Sequence, residues 1–599
     1  MLQYIWGKRT VKIDYSRDEL LPDFSKKTLE DRYLTPGETS PQEAFARAAK
    51  TFSDDDEMAQ RIYDYASKQW FMFSTPVLSN GGTTRGLPIS CFLNYVPDSR
   101  EGITSHYTEN AWLSSVGGGI GGYWGELRSV GSKTSKGSES TGVIPFLKVV
   151  DAEMLAFSQG VTRRGSYAAY LPIDHPEIEE FLDIRKPTGG DINRKSINLH
   201  HGIVISDKFM ELISRATTEA GFDDSWELID HHSKEVKKVV AAKALWVKLI
   251  QNRVESGEPY IMFGDTMNEA LPDFQKELGL KVNQSNLCSE ITLPTNKDRT
   301  AVCCLSSVNL ETYDDWNNDP DFIPDLVRML DNVLNWFIEK APNELERAKY
   351  AAMRERSIGL GAMGFHAYLQ KNRISFQSQM AKAFNLNAFE HIKGEAVKAT
   401  IQLAEERGAC PDAGELPIRN AHLLAIAPNA SSSIICGNTS PSIEPYRANA
   451  FTQKTKTGSS LLRNKFLEEV LEEVGSNDEE TWKSIVTSGG SVQHLDCLDE
   501  CTKDIFKTAV ELDQKWVVEH AADRQQFICQ AQSVNLFFPA DVSKQELHNI
   551  HLMAWRKKLK TLYYLRSEAL KRAEVVSDEK LRDYVFDFKD EEACLACEG

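Results

Sequence analysis

The segment SNLCSE at 285–290 places three chemically useful side chains at alternate positions. Asn286, Cys288 and Glu290 supply an amide, a thiol and a carboxylate. In an extended segment alternate residues point the same way, so all three would face one pocket. A neighbouring carboxylate disfavours a thiolate, which favours chemistry on the S–H bond itself, with Glu290 handling a substrate proton. A polar loop with internally satisfied groups explains any single one of these residues equally well.

A second pair of thiols lies at the end of the chain. Cys594 and Cys597 are spaced C-x-x-C within an acidic segment. Two ligands do not complete a tetrahedral zinc site, so the spacing favours thiol–disulfide exchange over a structural metal. The sequence therefore predicts a redox function for this pair.

PNASSS at 428–433 offers three consecutive hydroxyls where an apolar helical run begins. The start of a helix is a ready phosphate site, because its N–H groups point outward and its dipole favours negative charge. A plain helix N-cap explains the same residues. Both interpretations remain open from these residues alone.

SSVGGGIGG matches the pattern G-x-G-x-x-G at Gly117, Gly119 and Gly122. A dinucleotide-binding fold also requires an acidic residue about twenty positions later, at the end of the next strand. A loop rich in glycine and hydroxyl residues follows here instead. The match therefore does not predict a dinucleotide fold, although glycines permit close approach of the backbone to a bound nucleotide.

Composition narrows the class of protein. A net charge of −18 disfavours nucleic acid and anionic membranes as partners, and no apolar run is long enough to span a bilayer. With no apolar signal segment at the start, the sequence predicts a cytoplasmic protein. The odd count of 11 cysteines is no disulfide framework. We expect Cys410, Cys436 and Cys529 to be buried and inert, and Cys497 and Cys501 to share a helix.

Helical and strand-like segments alternate along the chain, and these segments must position the residues described above. Residues 1–75 are predominantly helical in pattern, and glycine-rich loops separate short runs over about 75–205. KALWVKLIQNRVESG predicts a helix that stops at Gly257, and TAVCCLSSVNL predicts a strand. A last helix is predicted over SKQELHNIHLMAWRKKLKTLYYLRSEAL. Strands alternating with helices predict an α/β barrel or sheet with large insertions.

Seven motifs occur in the order found in ribonucleotide reductase catalytic (large, alpha) subunits. They are NLCSE, FSTPVLSNGG…SCFL, AVCCLSS, APNASSS, SIEP, LYYLR and the terminal C-x-x-C. Each motif is weak alone, but all of them in register make the resemblance specific from about residue 28 onward. The resemblance implies an α/β fold: a ten-stranded α/β barrel of two antiparallel halves, each of five parallel strands. A finger loop carrying Cys288 would pass through its centre.

The resemblance also divides the chain into parts. It implies a mostly helical region at 1–74, the barrel domain with insertions at 75–572, and a flexible, redox-active tail at 573–599. Many family members carry an ATP-cone ahead of this core, and Cys91 comes too early in this chain to leave room for one. We therefore expect that dATP does not switch activity off through a separate site.

Catalytic roles follow from the same resemblance. Cys288 would become a thiyl radical and abstract the ribose 3′ hydrogen, while Glu290 would take the 3′-hydroxyl proton. Asn286 would hold the substrate hydroxyls. Cys91 and Cys303 would be the reducing thiols, with Cys91 protonating the departing 2′-hydroxyl before the pair becomes a disulfide.

Reductant and substrate contacts are implied as well. About thirty residues separate the tail thiols from the LYYLR motif, and as flexible chain they span roughly 30 Å. Cys594 and Cys597 would reduce the interior disulfide and be reduced in turn by thioredoxin or glutaredoxin. Cys304, which does not match its motif, is interpreted as a packing residue. The substrate-binding positions would be Thr75, Ser90, Asn429, Ala430, Ser431, Ser432 and Ser433.

Tyr563 and Tyr564 decide the subclass. Adjacent tyrosines in a core helix would need separate partners, so simple packing is one explanation. In large subunits that receive their radical from a second protein, such a pair relays the hole to the active-site cysteine. This implies class I, with a separate metal-containing small (beta) subunit and neither cofactor nor metal in this chain. The runner-up is an adenosylcobalamin-dependent, class II reductase, and a nucleotide-sensing binding protein would make the thiols incidental.

The family resemblance also implies a regulatory site for nucleotide effectors. Asp98 and Arg128 resemble residues of a dNTP specificity site, with 129–142 as its first loop. The second loop, about TGGDINRKSIN, departs from the family pattern, and Arg194 within it is a candidate contact. The resemblance implies dNTP or ATP effectors, a homodimer with effector bound, and ribonucleoside diphosphates as the substrates.

Overall fold

Helices flank a central group of strands. The computed structural model of the protein describes residues 9–89, 91–157, 165–455 and 458–567, with the side chains of 452–460 left out. Within these ranges no helix is both long and apolar enough to cross a membrane. The helices are α1 Asp23–Arg32, α2 Pro41–Phe52, α3 Asp56–Ser67, α4 Thr75–Asn80, α5 Arg100–Ser115, α6 Ile144–Ala156, α7 Ile178–Phe181, α8 Asp207–Ala216, α9 Ala242–Ser256, α10 Gly264–Glu269, α11 Asp273–Glu277, α12 Tyr313–Trp316, α13 Phe322–Lys340, α14 Glu346–Glu355, α15 Phe365–Lys371, α16 Gln379–Arg407, α17 Ala430–Ile435, α18 Lys465–Glu473, α19 Glu479–Thr487, α20 Glu500–Ile505, α21 Gln514–Gln525 and α22 Lys544–Arg556.

The strands fall into one large sheet and three small pairs. They are β1 Phe71–Phe73, β2 Cys91–Tyr95, β3 Gly119–Tyr123, β4 Ser166–Pro172, β5 His200–Ile205, β6 Ser225–Ile229, β7 Val236–Ala241, β8 Tyr260–Phe263, β9 Ala301–Asn309, β10 Ile358–Met363, β11 Ala450–Thr455, β12 Gly458–Arg463, β13 Leu536–Phe538, β14 Thr561–Leu562 and β15 Leu565–Ser567.

Helices α2 and α3 form a layer against the barrel domain. Ser40 and Glu43 form a capping box that fixes the start of α2, so that its apolar face can be buried. Arg61 of α3 forms an ion pair with Asp325 of α13, with Nε 2.7 Å from Oδ2. The predicted helical character of this region is confirmed for the residues described.

The first half of the barrel consists of five parallel strands. β2, β3, β4, β5 and β8 are hydrogen-bonded in that order. Helix α9 leads into β8 and ends where Gly257 adopts a left-handed conformation with φ of 79°. This end was predicted from the sequence, because glycine takes that conformation without steric cost.

The second half begins with β9, which is antiparallel to β2, and continues with β10, parallel to β9. Leu360 of β10 forms a parallel bridge to Leu424, and Ile426 forms one to Gln532. The Thr561 hydroxyl donates to the Gln532 carbonyl (2.8 Å), and β14 closes the circle antiparallel to β8. The described residues thus occupy ten positions around the barrel, five in each half, as predicted.

The finger loop, residues 281–295, fills the interior of this barrel. It contains no helix or strand, yet its apolar residues are buried. Leu287, Cys288 and Ile291 pack with inward-facing residues of both halves, including Leu93 and Leu305. The predicted central loop is therefore confirmed, and it replaces the layered side chains that would otherwise fill a barrel.

Two helix predictions are wrong. The last helix ends at Arg556 rather than continuing through the tyrosines, because Lys558 turns the chain with a φ of 59°. The chain then forms the short strands β14 and β15, and the two tyrosines lie in the irregular link between them. Cys497 precedes α20, which begins at Glu500 behind the cap of Asp499, so Cys497 and Cys501 share no helix.

Candidate active site

Cys91 and Cys303 oppose each other at the antiparallel junction of the two half-barrels. They are direct partners in the register of β2 and β9. Opposed residues of antiparallel strands have Cα atoms about 4.5–5.5 Å apart, which lies within the range that a disulfide spans. Both belong to the buried interior cluster, and neither is part of a disulfide in this structure. The pair can therefore close into a disulfide with little movement of either strand.

Cys304 lies on the other face of β9. Its thiol donates to the carbonyl of Leu330 in α13 (3.4 Å), outside the barrel interior. Successive strand residues face opposite sides, so the neighbour of an inward Cys303 must point outward. This position fits packing rather than chemistry at the centre.

Asn286 and Glu290 meet beside Cys91. The amide Nδ2 of Asn286 donates to Glu290 Oε1 (2.9 Å) and lies 3.6 Å from Cys91 Sγ. Cys91 Sγ is 4.0 Å from the same carboxylate oxygen. The predicted extended alternation is wrong, because 287–289 form a turn in which Ser289 has a φ of 70°. That turn, rather than strand geometry, brings the side chains together.

Glu290 is completely buried, and burial raises its pKa to about 7 despite hydrogen bonds from Asn286 and Ser533. The Ser533 hydroxyl lies 3.2 Å from Glu290 Oε2 and donates to the Cys288 carbonyl (2.5 Å). A carboxyl group with a pKa near neutrality both accepts and releases a proton readily. Ser533 therefore fixes the base and the Cys288 backbone together.

The glycine-rich segment is strand β3, and it backs the finger loop. A Cβ on Gly121 would lie 1.9 Å from the carbonyl oxygen of Ser285. Tyr170 donates its hydroxyl to the Asn286 carbonyl, and Gln284 Nε2 donates to the Gly121 carbonyl (3.2 Å). The close approach that these glycines permit is thus to the loop that carries Cys288.

Cys303 contacts a polar side chain that carries no charge. Nε2 of Gln530 lies 3.6 Å from Cys303 Sγ and donates to the Ile358 carbonyl (3.0 Å). Burial, together with the neighbouring Cys304, raises the pKa of the Cys303 thiol well above its ordinary value. This thiol therefore stays protonated at neutral pH.

Three tyrosine rings contact one another in tilted and edge-to-face arrangements where β8 meets β14. The ring centroids of Tyr563 and Tyr564 are 4.3 Å apart, and that of Tyr260 lies 4.8 and 5.2 Å from them. All three are buried in the cluster that contains Cys288. The Tyr564 hydroxyl is 3.3 Å from Nδ1 of His200. Tyr563 and Tyr564 are adjacent in an irregular segment, yet both rings contact the ring of Tyr260. Simple packing does not require such a shared contact.

The PNASSS segment lies at the end of β9. Asn429, with a φ of 56°, precedes the short helix α17, and its Nδ2 donates to Ser307 Oγ (2.9 Å). Within the described residues its side chain does not cap the helix, which disfavours the plain N-cap interpretation. Ala430 begins the helix. The three hydroxyl residues that follow are buried: Ser431, Ser432 and Ser433.

Thr75 lies near the same end of β9. It is the first residue of α4, and its hydroxyl pairs with that of Tyr33 (3.0 Å). The preceding N–H, of Ser74, points to Ser306 Oγ at 3.4 Å. Ser74, the residue before Thr75, and Asn429, the residue before α17, thus contact adjacent serines of β9. Ser90, the other predicted contact in this part of the chain, lies outside the described residues.

Asp98 and Arg128 form an ion pair, with Nη2 2.8 Å from Oδ2. His232, which the sequence reading missed, places Nδ1 2.8 Å from the same oxygen. His232 follows β6 in the β6–β7 hairpin. Asp230 of the same hairpin accepts hydrogen bonds from the hydroxyls of Ser129 and Ser132, which belong to the first predicted effector loop. Arg194 pairs instead with Glu180, with Nε 2.5 Å from Oε1.

Comparisons with known proteins agree with this architecture. A model of the ribonucleotide reductase barrel domain matches residues 89–414 and 411–565, and a model of the all-alpha domain of the same enzymes matches 19–86. The chain belongs to the ribonucleotide reductase large-subunit family. The activity of that family is the reduction of ribonucleotides to deoxyribonucleotides.

Individual relatives cover nearly the whole chain. A large subunit of ribonucleoside-diphosphate reductase from Invertebrate iridescent virus 3 is 43% identical over 98% of this chain and 100% of its own. A protein of Frog virus 3 (isolate Goorha) described as the putative form of the same subunit is 46% identical over 92% of this chain and 94% of its own. The solved structure of the class Id alpha subunit from Actinobacillus ureae has a TM-score of 0.80 at 34% identity, over 94% and 99% of the two chains. None of these favours the class II alternative.

The family motifs led to most, but not all, of the residues that meet at this candidate site. Gln530, Ser533, Tyr170 and Tyr260 were missed, because each touches the site through folding rather than through spacing in the sequence. The sequence offers one weak indication of these four residues: each lies in or beside a short segment that forms a strand or a β-bridge of the barrel. The tail thiols Cys594 and Cys597 lie outside the described residues.

Proposed function

We propose that this chain reduces ribonucleoside diphosphates to 2′-deoxyribonucleoside diphosphates by a thiyl-radical mechanism. One observation carries the proposal: Cys91 stands opposite Cys303 in register, beside Asn286 and Glu290, inside a barrel threaded by the loop of Cys288. The relatives described above are named ribonucleoside-diphosphate reductases, which supports the diphosphate as substrate.

The thiols divide the reduction into balanced steps. Cys288, as a thiyl radical, takes the 3′ hydrogen of the ribose and returns it at the end. Cys91 gives a proton to the 2′-hydroxyl, which leaves as water. The Cys91–Cys303 pair supplies two electrons and a second proton for the new C2′–H bond and ends as a disulfide. Neutral thiols suit these steps because each gives up its S–H hydrogen, and burial keeps Cys303 neutral.

Glu290 is the base for the 3′-hydroxyl. Its pKa of about 7 lets the carboxylate accept that proton at neutral pH and hold it while the ribose radical loses water. Asn286 binds the carboxylate oxygen nearest Cys91 (2.9 Å) and so orients the base toward the reducing thiol. The same amide holds the ribose hydroxyls when substrate enters.

The phosphates bind at the start of α17. The first N–H groups of this helix and its three consecutive hydroxyls provide donors there. We assign a contact to Thr75 as well, because the preceding residue, Ser74, contacts Ser306, next to the Ser307 that Asn429 binds. Asn429, fixed by Ser307, sets the direction of the helix. We assign a contact to Ser90 on the family motif alone.

The radical reaches Cys288 through Tyr564 and Tyr563. Their rings are 4.3 Å apart and share the interior cluster with Cys288, which supports a short relay. The relatives are named large or alpha subunits, which implies a second subunit. We assign to that small, metal-containing subunit the generation of the radical, so that this chain binds neither metal nor cofactor for it.

Regulation is assigned to the Asp98 region. Asp98 and Arg128 would bind a dNTP or ATP effector, and Arg194 would contact it only after leaving Glu180. Adjacent helices α5 and α6 expose apolar side chains such as Trp112 and Leu155, which a second copy of the chain would cover. This supports a homodimer that forms around the effector.

The reducing equivalents come from the tail. We assign the recharging of the Cys91–Cys303 pair to Cys594 and Cys597, with thioredoxin or glutaredoxin as the outside donor and the cytoplasm as the location. The division into 1–74, 75–572 and 573–599 belongs to the same proposal.

Reduction assays test the proposal directly. Each ribonucleoside diphosphate would be incubated with the full chain, a small subunit from a close relative, a dithiol and one defined effector. We expect deoxyribonucleoside diphosphate only when the small subunit is present, and none with the Cys288→Ser variant. Turnover by the chain alone with adenosylcobalamin, or undiminished turnover by Cys288→Ser, would contradict it.

A further inference from the structure

Residues 528–533, here called the bridge segment, contact both the proposed reducing thiol and the proposed base. The Gln530 amide nitrogen lies 3.6 Å from Cys303 Sγ. Three residues later, the Ser533 hydroxyl lies 3.2 Å from Glu290 Oε2. A shift of this segment would therefore displace the contacts of the thiol and of the base together, so the groups that hold the segment in place matter for the chemistry.

A buried ammonium group holds the first half of the bridge segment. Lys560 is 4% exposed, and its Nζ donates to the carbonyls of Cys529 (2.5 Å) and Gln530 (2.7 Å). It also donates to the carbonyl of Ile528, at 3.5 Å. Successive carbonyls of an extended strand point to opposite sides, so three of them face one atom only where the chain bends. The chain does bend at 529–530, and the three N–H donors of an ammonium match these three acceptors.

The backbone around Lys560 is itself anchored to the barrel. Its carbonyl accepts the N–H of Phe263 in β8 (2.9 Å). The hydroxyl of the next residue, Thr561, donates to the carbonyl of Gln532 within the bridge segment (2.8 Å). The two tyrosines of the proposed radical relay follow directly in the chain. One short stretch of backbone therefore presents the relay and holds the bridge segment.

One other side chain contacts the same carbonyls. Gln525 Nε2 donates to the carbonyls of Ile528 (2.9 Å) and Gln530 (3.0 Å). Within the described residues, the Cys529 carbonyl accepts a hydrogen bond from Lys560 alone. Removal of the ammonium would leave that carbonyl without its protein donor, which loosens the bend directly before the residue that reaches the thiol.

We propose that Lys560 is a positioning residue of the reducing centre: its ammonium fixes the bend of the bridge segment and thereby holds Gln530 against the sulfur of Cys303. The inference rests on the function proposed above, because that function makes Cys303 a reducing thiol. The positive charge is held by carbonyl oxygens, while a neutral amide reaches the sulfur. Cys303 is therefore held in place without a cation that would remove its S–H hydrogen.

The charge of Lys560 depends on pH. Burial lowers the pKa of its ammonium to about 8. Two further groups act on it: the charge of Lys393 in α16 lowers this pKa, and the thiol of Cys529 raises it. The neutral amine has two N–H donors for three carbonyls. We therefore expect the bend to loosen, and turnover to fall, as pH rises through about 8.

Steady-state reduction of ribonucleoside diphosphates tests the positioning. Lys560→Met should lower kcat about tenfold or more, because small displacements of reacting groups are costly, and should leave KM within about twofold. The matched control is Lys558→Met, which removes an exposed ammonium that contacts Asp207 (3.4 Å) and Glu269 (3.2 Å). The control should retain wild-type kcat and KM. Wild-type kcat in Lys560→Met, or an equal loss in both variants, would overturn the proposal.

Lys560→Arg tests the role of the charge. A guanidinium keeps its N–H donors and stays protonated at every pH of the assay. The kcat–pH profile of this variant should therefore lack the fall near pH 8 that we expect for wild type. A wild-type profile without this fall, or a fall that persists in Lys560→Arg, would overturn the proposal. These profiles decide even if Lys560→Met does not fold.

Hydrogen exchange separates this inference from the proposed function, because it requires no turnover. Backbone N–H groups of the bridge segment donate to barrel carbonyls, among them Ala531 to Glu290 (2.9 Å). We expect these amides to exchange about tenfold faster in Lys560→Met than in wild type or Lys558→Met. Equal protection in all three proteins would overturn the inference. Failure of the wild type to form any deoxyribonucleotide, with faster exchange in Lys560→Met, would overturn the proposed function and support the role of Lys560 in holding the segment.

Discussion

Cys303 and Cys529 stand on either side of Gln530 and have opposite electrostatic environments. Gln530 directs its amide to Cys303 and follows Cys529 in the chain. Burial without a compensating charge raises the pKa of Cys303, whereas at Cys529 the charge of Lys393 and the backbone N–H of Leu424 oppose burial, and the pKa lies below its ordinary value. Burial alone therefore does not decide whether a thiol is inert or reactive. The partners of the sulfur decide between chemistry on the S–H bond and attack by the anion.

The contacts described for the sulfur atoms of Cys91 and Cys303 come from amide and carboxyl groups. Cys91 faces the amide of Asn286 and the carboxyl of Glu290, and Cys303 faces the amide of Gln530. A positive charge there would favour thiolates, which lack the hydrogen that each reduction step requires. The ammonium of Lys560 instead binds the backbone carbonyl of Gln530 (2.7 Å).

The largest expected effect comes from removing one interior thiol. Cys303→Ser cannot form the disulfide, so deoxyribonucleotide formation should fall to background in a steady-state assay with a dithiol. The matched control is Cys304→Ser, whose sulfur contacts only the outer layer at Leu330. It should retain turnover and lose about 1 kcal/mol of stability. Equal loss of activity in both variants would contradict the assignment of Cys303.

Glu290→Gln should lower kcat by about 10²-fold or more, the usual contribution of a general base. Because the base acts as a carboxylate, wild-type activity should rise with pH through about 7, the pKa of Glu290. The variant should lack that rising limb in a kcat–pH profile. The same limb in wild type and in Glu290→Gln would assign the base to another group.

Ionisation of the Glu290 carboxyl favours activity but lowers the stability of the folded protein. Its pKa is about 7 in the folded state and about 4.3 when unfolded, so the folded protein binds more protons between these values. The stabilising contribution of Glu290 is complete below about pH 4.3 and is lost as pH rises through 7. Denaturant unfolding should therefore find Glu290→Gln more stable than wild type at pH 8, by on the order of 3 kcal/mol, and less so at pH 5.

The smallest expected effect is that of Cys529→Ser. A hydroxyl still accepts hydrogen bonds from Leu423 and Leu424 but carries no charge, so unfolding should become easier by about 1 kcal/mol. Turnover should stay within about twofold of wild type, because Cys529 touches neither substrate nor Cys303. Loss of turnover comparable to that of Cys303→Ser would erase the distinction between the two thiols.

Sequence spacing predicted the parts of this site that local rules control. The strand of Cys303 follows from its β-like run, and the end of α9 follows from Gly257. The left-handed turn at Ser289 and the end of the last helix near Lys558 were not predicted, since both depend on contacts with distant strands. The contacts of Cys529 were missed for the same reason, because its sulfur accepts the N–H groups of Leu423 and Leu424, which the sequence places far away.

The central claim is that Cys91 and Cys303 supply both reducing equivalents. It is tested by a single-turnover reaction of the pre-reduced Cys594→Ser/Cys597→Ser variant with small subunit, ribonucleoside diphosphate and effector but no reductant, followed by alkylation and peptide mapping. The account predicts one Cys91–Cys303 disulfide for each deoxyribonucleotide formed, with Cys304 and Cys529 still reduced. Product formed while Cys91 and Cys303 remain alkylatable, or a disulfide that involves Cys529, would contradict it.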